Sequence, residues 1–210
     1  MLASHTGYVF HLQPYPGVAE KGLPHKDLGA SANIIYYFAN LLHQVNPGEA
    51  ATFTCDNFFT SLPLLEALNL DFSYTATGTI RKNRVPSCPP AIAELEKKPR
   101  GKHLSGVNGE KSVNIVAWKD NRVVCLASTA CGVNPVKTVK LFCRSEKRHL
   151  HIPCPEVVRH YNAHMGGVDL ADSELQFAVR NGITRSYSTC WMWLCRTPGS
   201  STVSRATTCP

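Results

Sequence analysis

The sequence lacks any apolar run approaching the roughly 18 to 20 residues that cross a bilayer, so no membrane span is expected. Its opening, Met1 to Thr6, has neither a basic start nor a long apolar stretch. No secretory signal is read there, and the chain is expected in the cytosol or, given the charge pattern below, the nucleus. Closely spaced cysteine pairs are missing too. Nine cysteines are present (Cys55, Cys88, Cys125, Cys131, Cys143, Cys154, Cys190, Cys195 and Cys209), but no C-x-x-C occurs among them. A structural zinc ion needs paired ligands that fix a tetrahedron. His149, His151 and Cys154 come nearest, nothing supplies the other half, and no structural zinc is expected. No internal repeat is present. Charged residues are scarce at 18% and hydrophobic ones make up 43%, the balance of a globular chain.

What charge there is lies unevenly. Between Arg81 and His160 there are 16 Lys and Arg against 6 Asp and Glu, whereas the rest of the chain has 6 against 9. A basic middle between mildly acidic ends attracts a polyanion, most simply nucleic acid. A solvated basic surface with no partner fits the same count.

Hydrophobic spacing gives an α/β order. Gly7 to Leu12 alternates as a strand, Tyr15-Pro16-Gly17 turns the chain, and Pro24 to Gly29 is a polar loop. Ile34, Phe38, Leu41, Leu42 and Val45 recur at helical spacing up to Pro47-Gly48. Ala51 to Cys55 is a short apolar strand, and Ser61 with Pro63 opens a helix through Leu70. Phe72 to Thr79 is the next strand. Val85 to Gly109 is expected as a mobile loop around a short helix near Ile92 to Glu96. Ser112 to Trp118 and Val123 to Thr129 form a hairpin through Lys119-Asp120-Asn121-Arg122. Pro135 to His151 reads as basic and irregular. Pro155 starts a helix carrying Val157, Val158 and Tyr161, Gly166-Gly167 breaks it, and a further helix begins at Val168. Trp191, Trp193 and Leu194 make a last apolar patch, and Trp118, Trp191 and Trp193 are read as core residues. The tail from Arg196 to Pro210 has no periodicity and is expected to be disordered. Such an order implies a mixed sheet flanked by helices.

Three carboxylates stand in positions suited to chemistry. Asp56 closes a short apolar strand, Asp169 begins a helix, and Asp172 follows one turn along the same face. Converging carboxylates from separate elements are what two-metal phosphoryl transfer requires, since Mg²⁺ prefers hard oxygen ligands. Acidic residues at strand ends and in first helical turns also serve simply as caps.

A resemblance adds context. Thr54-Cys55-Asp56-Asn57-Phe58-Phe59-Thr60-Ser61-Leu62-Pro63-Leu64-Leu65 resembles the first catalytic block of piggyBac transposases. Thr77-Gly78-Thr79-Ile80-Arg81-Lys82-Asn83-Arg84 is similar to the block that follows it. Tyr161-Asn162-Ala163-His164-Met165-Gly166-Gly167-Val168-Asp169-Leu170-Ala171-Asp172 resembles the third. The likeness runs from about Gly7 to Leu194. It implies a ribonuclease-H-like domain over residues 51–195, preceded by a remnant segment over 1–50 and followed by the tail. It further implies an aspartate triad that nicks and joins DNA with Mg²⁺.

On that pattern Asp56 is the first metal ligand and Asp169 the third, with Asp172 an accessory acid. The second is expected just after Ser128-Thr129, where the sequence reads Ala130-Cys131-Gly132. Depending on register, Cys131 or Gly132 occupies the slot, and neither is a carboxylate. Asp120 lies at the other end of the preceding strand. An incomplete triad implies weak or absent Mg²⁺ binding and little strand transfer. The basic residues Arg81, Lys82, Arg84, Lys97, Lys98, Arg100 and Lys102, with Lys137, Lys140, Arg144, Lys147 and Arg148, are expected to contact DNA phosphates with little sequence preference. The family's long N-terminal region and its Cys/His-rich module are not seen, so the chain reads as a truncated or domesticated copy. A second copy of the chain is one partner this leaves open. Three readings stand: a DNA-binding domain without catalysis, a Mg²⁺-dependent nuclease with an unexpected ligand, and a relic with no role.

Overall fold

The computed structural model describes residues 1–12, 25–85, 89–108, 113–144, 146–180 and 192–196. One mixed sheet dominates. Its strands are β1 (Leu2–Ser4), β2 (Val9–His11), β3 (Ala51–Cys55), β4 (Thr75–Thr79), β5 (His103–Asn108), β6 (Val113–Lys119), β7 (Val123–Ser128) and β10 (Met192–Arg196). They lie in the order β2-β1-β10-β3-β4-β7-β6-β5. Strands β3 and β4 run parallel, so a helix must cross between them, and α2 (Leu62–Phe72) does so. A separate hairpin pairs β8 (Lys137–Cys143) with β9 (Arg148–Cys154).

Local chemistry accounts for α2. Ser61 is extended and its Oγ accepts from the Leu64 N–H, Pro63 occupies the first turn, and Ser73 closes the helix in the left-handed region at φ 56°. The helix then buries Leu64, Leu65 and Leu68 completely. Each such side chain contributes about 1.5–3 kcal/mol of hydrophobic stabilisation.

Alternation along the central strands gives the sheet two unlike faces. On one face Phe53, Cys55, Ala76, Cys125 and Ala127 join a core with α1 (Gly29–Val45), α2 and α3 (Pro89–Glu96). Leu2, Leu28, Ile35 and Phe38 from the first fifty residues belong to that same core. The other face carries buried hydroxyls. Thr52 and Thr75 bond at 2.7 Å, Thr77 and Ser128 at 2.6 Å, and Thr54 lies between them. Over this face sits α4 (Glu156–His164), whose Val157, Val158 and Tyr161 pack with Val116, Trp118 and Leu126. Gly166 then separates α4 from α5 (Gly167–Arg180).

The expected mixed sheet flanked by helices is thus found, and two local expectations are corrected. The stretch from Val85 to Gly109 contains the edge strand β5 as well as α3. Pro135 to His151 is not irregular: Val139 pairs with Ile152 and Leu141 with Leu150 on the inward side, while Lys140, Phe142, His149 and His151 face outward. Its period of two was hidden because basic residues fall on both sides, Lys137 and Arg148 standing in register with the inward positions. On α1 the buried side is Ala32, Ile35, Phe38 and Ala39, whereas Val45 is 75% exposed. Among smaller differences, Lys26–Leu28 form a single 3-10 turn, and Phe72 ends α2 rather than starting β4. The expected turn at Tyr15 to Gly17, Trp191, the tail beyond Arg196, and the side chains of Trp193 and Leu194 lie outside the described residues.

Candidate functional site

Asp56 follows β3 directly, and its backbone holds a tight turn. The Asp56 carbonyl accepts from the N–H groups of Phe59 and Thr60, both at 3.1 Å, and from Thr60 Oγ1 at 2.9 Å. Gly78, beside this turn on β4, cannot be larger: a Cβ there would lie 2.2 Å from Thr60 Oγ1 and 2.9 Å from the Cys55 carbonyl oxygen. Arg84 straps the turn from the opposite side, donating to the carbonyls of Asn57 at 3.2 Å and Thr60 at 2.8 Å.

The Asp56 carboxylate meets hydroxyls. Thr79 Oγ1 donates to Asp56 Oδ1 at 3.4 Å, and Tyr161 Oη lies 3.4 Å from the same Thr79 oxygen. Burial pushes the Tyr161 phenol up to about 12, with the charges of Asp56 and Cys55 adding to the effect. The phenol is therefore neutral at ordinary pH and acts as a hydrogen-bonding group. An open groove of about 720 Å³ runs past this point. Asp56, Thr79 and Tyr161 line it together with Arg81, Arg122, Trp118 and Asp120. Asp120 is engaged there, its carboxylate accepting from Arg100 Nε at 2.9 Å and pairing with a second nitrogen of the same guanidinium.

The other expected catalytic residues are not among those that line this groove. Asp169 is exposed in the first turn of α5, with Asp172 half-buried one turn on. The start of α5 seats on β1: Val168 and Ala171 bury against Met1 and Ala3, and Leu170 comes so near Gly7 that a Cβ there would lie 3.2 Å from its own. Gly7 also has φ +89°, a conformation that favours glycine. The strand carrying α5 ends at Ser4, whose Oγ accepts from the N–H groups of Thr6 and Tyr8.

Cys131 and Gly132 do not line the groove of Asp56. Cys131 curls back onto Ser128, whose Oγ accepts from its N–H at 3.2 Å. Burial raises the thiol, partly offset by hydrogen bonds from Ser128 and Thr77 and by Arg159. The carbonyl of Gly132 accepts from Val157 N–H at 3.0 Å, and that of Val133 from Glu156 N–H at 2.9 Å. These carbonyls satisfy the first turn of α4, where backbone donors have no partner within the helix. Gly132 also abuts Asn114, whose amide oxygen would lie 3.3 Å from any added Cβ.

These residues do not fit a two-metal centre. The Asp56 carboxylate accepts from the Thr79 hydroxyl, and among the described residues no three His, Cys, Asp or Glu side chains gather to hold a metal ion. His149 and His151 stand on the outer face of the β8–β9 hairpin while Cys154 is buried on the inner one.

The basic residues divide into two groups. Arg84 straps the turn, Lys82 pairs with Glu96, Arg100 with Asp120 and Arg148 with Glu146. Arg81, Lys97, Lys98, Lys102, Lys137, Lys140, Arg144 and Lys147 form no such pair among the described residues. Sequence reasoning passed over Thr79, Tyr161 and Arg122. The signal for Thr79 was the run Thr75, Thr77, Thr79 at the period of a strand.

Cys55 and Cys125 are buried, as the apolar runs around them implied. Trp118 is buried as expected, its indole N–H donating to the Pro153 carbonyl at 2.9 Å. Farther along α4, the His160 and His164 rings lie with centroids 4.4 Å apart, tilted at 50° to one another. Burial lowers the His160 imidazole, and the neighbouring His164 adds to this.

Comparison with known proteins places this geometry. The family profile described as Transposase IS4 matches residues 1–193. The chain is similar to human PiggyBac transposable element-derived protein 3, with 33% identity over 174 residues, 82% of this chain and 29% of that protein. It is similar also to human PiggyBac transposable element-derived protein 2, with 27% identity over 170 residues, 80% of this chain and 28% of that one. The chain thus spans less than a third of these relatives. In fold it resembles a piggyBac transposase solved by cryo-electron microscopy in a synaptic complex with hairpin DNA. That match has a TM-score of 0.53 and 24% identity, and covers 78% of this chain and 30% of that one. A mixed sheet flanked by helices, Asp56 at a strand end and Asp169 at a helix start therefore accompany a profile match over nearly the whole chain, and the chain belongs to the DDE-type Transposase IS4 family, among its piggyBac-derived members.

Proposed function

We propose that this chain is a piggyBac-derived DNA-binding domain that does not cut or join DNA. DDE-type transposases typically use divalent metal, and the reading rests on what borders Asp56. Its carboxylate faces Thr79 and Tyr161, the nearest acid in its groove is bound to Arg100, and the groove is lined by Arg81 and Arg122. Two strand ends could have offered a further carboxylate. They carry Ser4 at β1 and Ser128 to Cys131 after β7. A lone carboxylate does not hold two divalent ions at working distance against their mutual repulsion. Cations that lack an internal partner remain free to neutralise phosphate, and the sequence-independent affinity that results weakens with salt. Such a partner fits a nuclear location.

The test uses the purified chain with a duplex carrying transposon ends. Retardation is expected to fall with salt at a log–log slope of about −4 to −5, as for some five phosphate contacts. No nicking is expected with Mg²⁺ or Mn²⁺. Nicking that Asp56→Ala abolishes overturns the inactive reading, and absence of retardation at low salt in a cooperatively folding chain overturns the DNA-binding one.

A further inference from the structure

The β8–β9 hairpin exposes Lys140, Phe142, His149 and His151 on its outer face. Its inner face is committed: Val139, Leu141, Ile152 and Cys154 lie against Val157 and Val158 of α4. On the outer face Lys140 stands opposite His151, and Phe142 opposite His149. Phe142 is 51% exposed and meets His149 edge-on at 5.4 Å. Phe142, the penultimate residue of β8, presents its ring to solvent between the exposed Lys140 and Arg144. Charge surrounds it. Lys140 on the same strand and Arg144 and Lys147 at the tip are exposed and form no ion pair among the described residues, and the nearby acid Glu146 is held by Arg148.

We propose that this outer face binds single-stranded DNA, with Phe142 and His149 as a stacking platform and Lys140, Arg144 and Lys147 taking the phosphates. The occupant follows from the combination. A cationic surface alone takes any polyanion, whereas an exposed ring between cations suits unpaired bases, whose π-faces are hidden in a duplex. Side chains two residues apart on one strand recur about every 6.6 Å, so ring and cation can serve successive positions along an extended strand. This deepens the DNA-binding reading and rests on it. It assigns single strands to the hairpin, apart from the groove beside Asp56.

The test compares anisotropy titrations of the full chain with a labelled thymidine 20-mer and with a duplex of equal length. Phe142→Ala is expected to weaken single-strand binding about 5- to 100-fold, the size of one lost base stack. Duplex binding should stay within about twofold, and Phe142→Tyr should restore the single-strand affinity. Phe142 projects outward, so the fold should survive, and an unchanged thermal transition checks this. If Phe142→Ala leaves single-strand affinity unchanged, or weakens both DNAs equally, the platform is overturned while DNA binding stands. If the wild-type chain binds neither DNA, the underlying DNA-binding reading falls instead.

Discussion

Gly78→Ala tests how the Asp56 turn is built. The new methyl would lie 2.2 Å from Thr60 Oγ1 and 2.9 Å from both Thr60 Cγ2 and the Cys55 carbonyl oxygen. The Thr60 side chain can rotate away, but it then loses its bond to the Asp56 carbonyl, worth about 0.5–1.5 kcal/mol. The Cys55 carbonyl is backbone within a paired strand and cannot move independently, so overpacking adds about 1–3 kcal/mol. The sum is about 2–4 kcal/mol. For a chain of this size that lowers the melting temperature by roughly 4–16 °C. Gly106→Ala in β5 is the matched control, since a Cβ there meets nothing within 4 Å. It should be neutral or gain a few tenths of a kcal/mol. Differential scanning calorimetry on the two variants reads the difference directly. In a Thr60→Ala background the cost of Gly78→Ala should shrink by at least 1 kcal/mol, on the order of coupling between touching residues. Equal melting temperatures for Gly78→Ala and Gly106→Ala would refute the packing account of Asp56.

Three further outcomes are expected. Thr79→Val removes the donor to Asp56 and the contact with Tyr161, both at 3.4 Å, and should cost about 0.5–1 kcal/mol in a urea titration, because bonds this long are weak. His160 binds its proton less readily when folded than the ordinary imidazole near 6.5, so its contribution to stability is present above that value and is lost as pH falls below it. Melting temperatures followed from pH 7.5 to 5.5 should therefore drop less steeply in His160→Gln than in the wild type. Burial pushes the Cys55 thiol up to about 12, so iodoacetamide at pH 8 should spare Cys55 in the native chain and modify it in urea, as read by peptide mass mapping. Native labelling of Cys55 would show that β3 opens.

The sequence by itself determined the local elements whose signals are local. Ser61 and Pro63 mark the start of α2, Pro155 precedes α4, and Gly166 breaks the chain before α5, because caps and breakers act within one turn. It also determined which residues carry the family likeness, Asp56 and Asp169 among them. Strand pairing and the partners of charged groups are non-local, and only the tertiary structure decided those. The β8–β9 hairpin was unreadable because Lys137 and Arg148 stand in register with its inward positions and break the alternation, so it looks like a charged loop until Val139, Leu141 and Ile152 find α4. Nothing local to Arg84, Arg100 and Lys82 foretold the carbonyls and carboxylates that folding brings to them from 14 to 27 residues away. The surroundings of Asp56 were settled the same way. Thr79 and Tyr161 reach it from a parallel strand and an overlying helix, and the spacing of residues along a chain carries no record of which side chains a sheet will bring face to face.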